Sequence, residues 1–186
     1  MSELLRISFD MQRVEALLRD APRSAVGPAT VRALNKTAAN VRTAASSAIR
    51  KKRALSAKVV REAISIRKAT SANLVATVVA TGRPIPLRDY AARESKRKGV
   101  TVAVTPGARK PVAHNGNKAF IVHKIGGHVF ARQGKERLPI KKLYGPSLPA
   151  TFVQDEVKQT WMAVAQESLP RRLGEELHYE LLKLAR

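Results

Sequence analysis

Apolar residues in this chain recur every three or four positions in two long stretches, and alternate with polar ones in the region between them. The first helical stretch opens at Gly27-Pro28, where Val31, Leu34, Ala38, Val41, Ala45, Ala48 and Ile49 mark one face of an amphipathic helix running through Arg53. That stripe is mostly alanine, so the helix can approach its partner closely. Ser56 is placed to start a shorter helix with Val59, Val60 and Ala63 inward. Upstream, Leu4 to Phe9 suits a short strand or extended arm. Asp10 is positioned to cap a helix with Met11, Val14, Leu17 and Leu18 on one face, ended by Ala21-Pro22.

From Ile64 the period drops to two. Ile64 to Lys68, Leu74 to Ala80 and Val100 to Thr105 alternate, and Phe120 to Lys124 and His128 to Gln133 flank Gly126-Gly127, which predicts a hairpin with a two-residue glycine loop. Leu138-Pro139-Ile140 adds a short edge-like strand, and Tyr144 to Pro149 is a turn back to helix. Two further stripes follow, Val153, Val157, Trp161 and Val164, then Leu173, Leu177, Leu181 and Leu184, with Pro170 between them as a helix start or kink. The predicted fold class is α+β: N-terminal helices including one long amphipathic helix, a central antiparallel β-sheet with hairpins, and C-terminal helices. A chain of 186 residues suits a single domain, mainly helical over 1–63, sheet over 64–143 and helical again over 150–186.

Charge changes this picture most. Lys and Arg number 35 against 14 Asp and Glu, a net of +21 and a pI near 11.2. Residues 1–20 and 154–186 are each at −1, so residues 21–153 carry +23, with Glu62, Asp89, Glu94 and Glu136 as their only acids. Such a field concentrates anions and repels other copies of the chain unless counter-charge is near. Nucleic acid is the first candidate, because neutralising phosphates releases condensed counterions. An anionic membrane ranks second and an acidic protein third.

Two clusters carry the nucleic-acid reading. Arg50, Lys51, Lys52 and Arg53 end the long helix, where cations also suit the negative end of the dipole, so alone they read as a solvated last turn. The second cluster, Arg93, Lys96, Arg97 and Lys98, is expected in a loop between strands, with Arg109 and Lys110 soon after. Together they favour phosphate contact. The eight aromatic residues are scattered and no cysteine allows a zinc finger, so the contact is expected to be blind to base sequence.

Chemistry beyond binding is not predicted. His123 and His128 are expected as diagonal neighbours on one sheet face, about 7–8 Å apart, without the further ligand a metal needs. There is no phosphate-binding glycine loop and no nucleophile elbow, and four acids in the basic middle are too sparse for a two-metal nuclease. The expectation is no enzyme and no cofactor. The absence of cysteine fits a reducing compartment, no window reaches the ~18–20 apolar residues that span a bilayer, and the N-terminus lacks a signal-peptide core, so a soluble chain is expected.

Several segments, in order, resemble the minor tail protein Z, or tail completion, family of long-tailed bacteriophages. They are Ala33-Leu34-Asn35-Lys36-Thr37-Ala38, Ser56 to Thr70, the basic stretch 93–98, Ala119-Phe120-Ile121, Arg137-Leu138-Pro139-Ile140 with Tyr144 to Pro149, and Leu169 to Gly174. The resemblance implies a structural virion protein made in the host cytoplasm and added at the head-proximal end of the tail. There it would place the genome end at the head–tail junction. It further implies partners: other copies in a ring, a hexamer by analogy with connectors, neighbouring tail terminator and head–tail connector proteins, and viral double-stranded DNA, with no membrane or small-molecule substrate. It assigns no individual side chain a role. The alternative is a cellular nucleic-acid-binding protein without sequence preference, and a basic nuclease ranks third.

Overall fold

The computed structural model describes residues 3–5, 21–97 and 99–185. The expected helix from Asp10 and most of the Leu4–Phe9 arm lie outside them. In chain order the elements begin with β1 (Glu3–Leu5), α1 (Arg23–Lys52), α2 (Ala57–Ala63), β2 (Ile64–Arg67), β3 (Thr77–Ala80), β4 (Ile85–Pro86), β5 (Arg93–Ser95) and β6 (Gly99–Thr105). There follow β7 (Ala108–Pro111), β8 (Ala113–His114), β9 (Asn117–Lys118), β10 (Phe120–Val122), β11 (His128–Arg132), β12 (Ile140–Lys142), β13 (Tyr144–Gly145), α3 (Pro149–Phe152) and α4 (Asp155–Leu184). The α+β class stands.

Two 30-residue helices, α1 and α4, form the frame. Arg32 pairs with Glu176, Asn40 Nδ2 donates to Ser168 Oγ at 2.8 Å, and Lys52 pairs with Glu156. Equal steps forward on α1 are matched by equal steps back on α4, so the helices run antiparallel over about 30 Å at 1.5 Å per residue. Alanines make the contact possible. Ala29 and Ala33 sit against Leu169, Leu173 and Leu177, small against large.

Both helices begin or continue where proline argued otherwise. The long helix starts at Arg23, ahead of Gly27-Pro28, and α4 runs through Pro170 without dividing into two. Each proline removes one helical hydrogen bond, and the carbonyls left over belong to Ser24 and Gln166, both exposed, where water can serve them. The buried face of α1 also differs at its start. Ala25, Ala29 and Ala33 are fully buried while Val31 and Leu34 are only half-buried. In α4, Val157, Trp161, Leu173 and Leu177 are buried as expected, but Leu181 and Leu184 are exposed.

Ser56 caps α2, its Oγ accepting from Val59 N at 3.4 Å. All strand pairing among the described residues is antiparallel, and it is spread over five small sheets rather than one: β1-β3-β2, β10-β11-β12, β13-β4, β5-β6-β7 and β8-β9. Single backbone bonds stitch them together, including Val100 N to Ala119 O, Leu143 N to Val129 O and Ala103 N to Tyr90 O. Apolar residues from the sheets and helices meet in one core, with Ile49, Val60, Tyr90, Val129, Phe152 and Trp161 at 8% exposure or less.

Tyr90 is the hinge pin of that core. Its hydroxyl donates to Pro146 O at 2.6 Å, and burial pushes its phenol up to about 12, Asp89 adding to the shift and Arg53 opposing it. Gly145 lies flat on its ring. A Cβ there would stand 2.5 Å from Tyr90 Cε2, so the close approach admits only glycine.

Hairpin geometry departs from expectation in one place. β10 and β11 pair Phe120 with Phe130 and Val122 with His128, so their loop is five residues, His123 to Gly127, not the two glycines alone. A 3-10 turn fills His123–Ile125, and Gly126 and Gly127 both take positive φ. The two-residue hairpin is elsewhere, at Asn115-Gly116 between β8 and β9, with φ of 49° and 75°. These are the conformations a type I′ turn requires.

Candidate nucleic-acid interface

The last turn of α1 carries Arg50, Lys51 and Lys52, cations at the negative end of the helix dipole. Arg53 and Lys52 are already engaged. Arg53 Nε donates to Thr151 Oγ1 at 3.0 Å and Lys52 pairs with Glu156, so both fasten α1 to the helices beside it. Arg50 and Lys51 remain exposed. Just beyond them Ala54 N donates to Val104 O at 3.1 Å, which sets this end of α1 against the far end of β6.

The second cluster divides between a strand and a turn. Arg93 belongs to the edge strand β5, and Lys96 and Arg97 lie in the turn into β6; Lys98 lies outside the described residues. Alternation explains the strand: Arg93 stands opposite Thr101 and Glu94 opposite Val100, whose side chain enters the core. Arg109, opposite Ala103, shares the Thr101 face, and its Nη1 donates to Thr101 O at 3.0 Å and Oγ1 at 3.3 Å. Lys110, opposite Val102, is exposed at the sheet edge.

The candidate residues therefore form two groups. At roughly 3.3 Å per residue, β6 separates its ends by about 20 Å. Lys96 and Arg97 sit at its start and the end of α1 at its finish, while Arg109, opposite Ala103 with its guanidinium on Thr101, lies between them. Lys118, whose Cβ would lie 3.5 Å from a side chain at Gly99, joins the first group, although charge clustering along the sequence does not single it out. The β8–β9 hairpin brings it there, and Asn115-Gly116 is the sequence signal for that hairpin.

Counter-charge is scarce where these cations stand. On the helices four acids are spent: Glu176 on Arg32 and Lys36, Glu180 on Arg32, Glu156 on Lys52 and Glu175 on Arg171 and Arg172. Asp89 lies 3.4 Å from Arg88, and Glu94 Oε1 accepts from Ile121 N at 3.3 Å. Among the described residues no carboxylate lies within ion-pair distance of Arg50, Lys51, Arg93, Lys96, Arg97, Arg109 or Lys110. Three of the C-terminal segment's acids, Glu156, Glu176 and Glu180, thus serve α1 and leave the sheets uncompensated.

The two histidines are not the diagonal pair expected. His123 falls in the 3-10 turn, whereas His128 starts β11 with Nε2 3.0 Å from Lys142 Nζ. Burial holds the His128 imidazole below its usual range, and the charges of Lys142 and Arg88 lower it further against Asp89. Neutral His128 then accepts from the Lys142 ammonium. Among the described residues no three His, Asp or Glu side chains gather as a metal site would need, and no helix is long and apolar enough to cross a membrane.

A family model described as prophage minor tail protein Z matches residues 13–186. No curated protein and no solved structure matches the chain.

Proposed function

Because this chain belongs to the prophage minor tail protein Z family, a family of phage tail proteins, we propose that it is a structural subunit at the head-proximal end of the tail. On this reading it forms part of the head–tail junction and its basic surface holds the genome end without reading it. The role is structural and not enzymatic. A ring of like subunits is proposed, hexameric by analogy with connectors, with tail terminator and head–tail connector proteins as neighbours.

The observation that carries the DNA contact is the set of exposed cations with no carboxylate partner. Like copies offer one another little counter-charge, because Lys and Arg outnumber Asp and Glu 35 to 14 and five of the described acids, Asp89, Glu156, Glu175, Glu176 and Glu180, already have partners in their own chain. A ring would concentrate +21 per subunit. A duplex at its centre supplies dense counter-charge, one phosphate per about 1.7 Å of axis.

Replacing Lys96, Arg97 and Lys98 together with Gln tests the contact. Binding to a duplex fragment is expected to weaken equally for unrelated sequences, and the plot of log affinity against log salt to become shallower by about 1 for each phosphate no longer neutralised. A slope equal to that of the unsubstituted chain would mean that this turn faces protein.

A further inference from the structure

The loop after β11 is exposed but held in place. Every residue from Gln133 to Pro139 is exposed, so no side chain of the loop anchors it in the core. Its backbone is tied down from outside. Asn117 Nδ2 donates to Arg132 O at 3.2 Å and Gly134 O at 3.0 Å, and Asn115 Nδ2 donates to Gln133 O at 3.3 Å. Gln133 N closes the loop on Pro139 O at 3.1 Å. Two amides from the β8–β9 hairpin thus hold three consecutive carbonyls, and Asn115 does so from a left-handed conformation that asparagine tolerates better than most residues.

What the loop presents is charge. Arg132, Lys135 and Arg137 project from it with Glu136 as its one acid, and no carboxylate lies within ion-pair distance of the three among the described residues. It contains no aromatic residue on which a base could stack. Fixing a loop residue costs about 1–2 kcal/mol of backbone entropy, so a loop ordered before binding spares the complex that cost. Cations held ready, without stacking groups and without paired carboxylates, suit a regular line of phosphates.

We propose that the loop Arg132–Arg137, shaped by Asn115 and Asn117, is a preformed contact for the phosphate backbone of duplex DNA, separate from the Lys96–Arg97 turn. The inference rests on the DNA-contact reading above and adds a site to it.

The test measures duplex binding across a salt series for the full chain and three variants, with thermal melts to confirm folding. Arg132→Gln/Lys135→Gln/Arg137→Gln is expected to make the salt slope shallower by about 1 per residue. Asn115→Gly/Asn117→Ala keeps the turn, since glycine accepts the same φ, and keeps every cation. It is expected to weaken binding several-fold while leaving the slope unchanged. The third variant, Lys96→Gln/Arg97→Gln/Lys98→Gln, separates the two claims. If it alters the slope and neither loop variant alters binding, the loop site is wrong and the DNA reading stands. If the unsubstituted chain shows no salt-dependent binding, the reading fails and the loop site falls with it.

Discussion

Replacing Arg32 with Met is expected to lower the unfolding free energy by about 3–5 kcal/mol, because it strands buried carboxylates. Glu176 and Glu180 are only 5% and 6% exposed, whereas the Arg32 side chain retains 35% of its exposure. Lys36 stays on Glu176, which places the effect near the lower end; Glu180 loses its ion-pair partner among the described residues. Replacing the acids does less harm, since the cations left behind can turn to water. Arg32→Met combined with Glu176→Gln and Glu180→Gln is therefore expected to be more stable than Arg32→Met alone. Urea denaturation of the three proteins measures the difference, and equal losses would show that the carboxylates are not the cost.

The same network has a pH signature. Burial alone would push the Glu176 carboxyl up, but hydrogen bonds from Lys36 and Arg32 outweigh it and hold it below the usual glutamate range. Its contribution is thus present above the unfolded pKa and is lost as pH falls through the lower, folded one. In Arg32→Met burial is opposed by Lys36 alone, so the folded carboxyl titrates higher than in the unsubstituted chain and the destabilisation is expected to shrink as the pH falls through the glutamate range. A deficit that stays constant as the pH falls through the glutamate range would contradict this account.

The second large effect is expected at Trp161. Its indole is 1% exposed, stacks on Phe152 with centroids 5.7 Å apart, and donates from Nε1 to Phe152 O at 3.3 Å. Trp161→Ala should cost about 3–5 kcal/mol, through the cavity it leaves and the packing it removes. In a domain of this size that is a fall in melting temperature of roughly 6–20 °C. Trp161→Phe, which keeps a ring but has no N–H donor, should fall between. A Trp161→Ala protein that melts with the unsubstituted chain would mean that α3 and α4 do not depend on this stack.

Trp161 is legible in the sequence because its neighbours repeat at helical spacing. So is the α+β order, since the period of the apolar residues changes once at Ile64 and returns to helix after Tyr144. Pro28 and Pro170 mislead. A proline breaks a helix only where its cost exceeds what flanking residues gain, and here Leu169 and Leu173 bury against alanines on α1. Gly126-Gly127 outweighs Asn115-Gly116 as a hairpin signal because both glycines admit positive φ. Pairing of Val122 with His128 leaves room for the longer loop, and strand pairing depends on residues far away in sequence.

The candidate site is legible as charge and not as geometry. Composition shows that cations dominate residues 21–153 but not which of them are spent inside the fold. Lys52 and Arg53 look like their neighbours Arg50 and Lys51 until Glu156 and Thr151 arrive from about 100 residues away. The Arg32–Glu176 pair joins helices whose sequences lie at opposite ends of the chain. The asparagines that shape the 132–137 loop carry no charge, so the distribution of cations does not point to them.

The central claim is one of place: a basic subunit at the junction, against the genome. Electron microscopy of assembled particles tests it most directly. The account predicts density for this chain at the head-proximal end of the tail, with the turn at residues 96–97 and the loop at residues 132–137 facing the DNA. Density for it only at the distal tip would contradict the account.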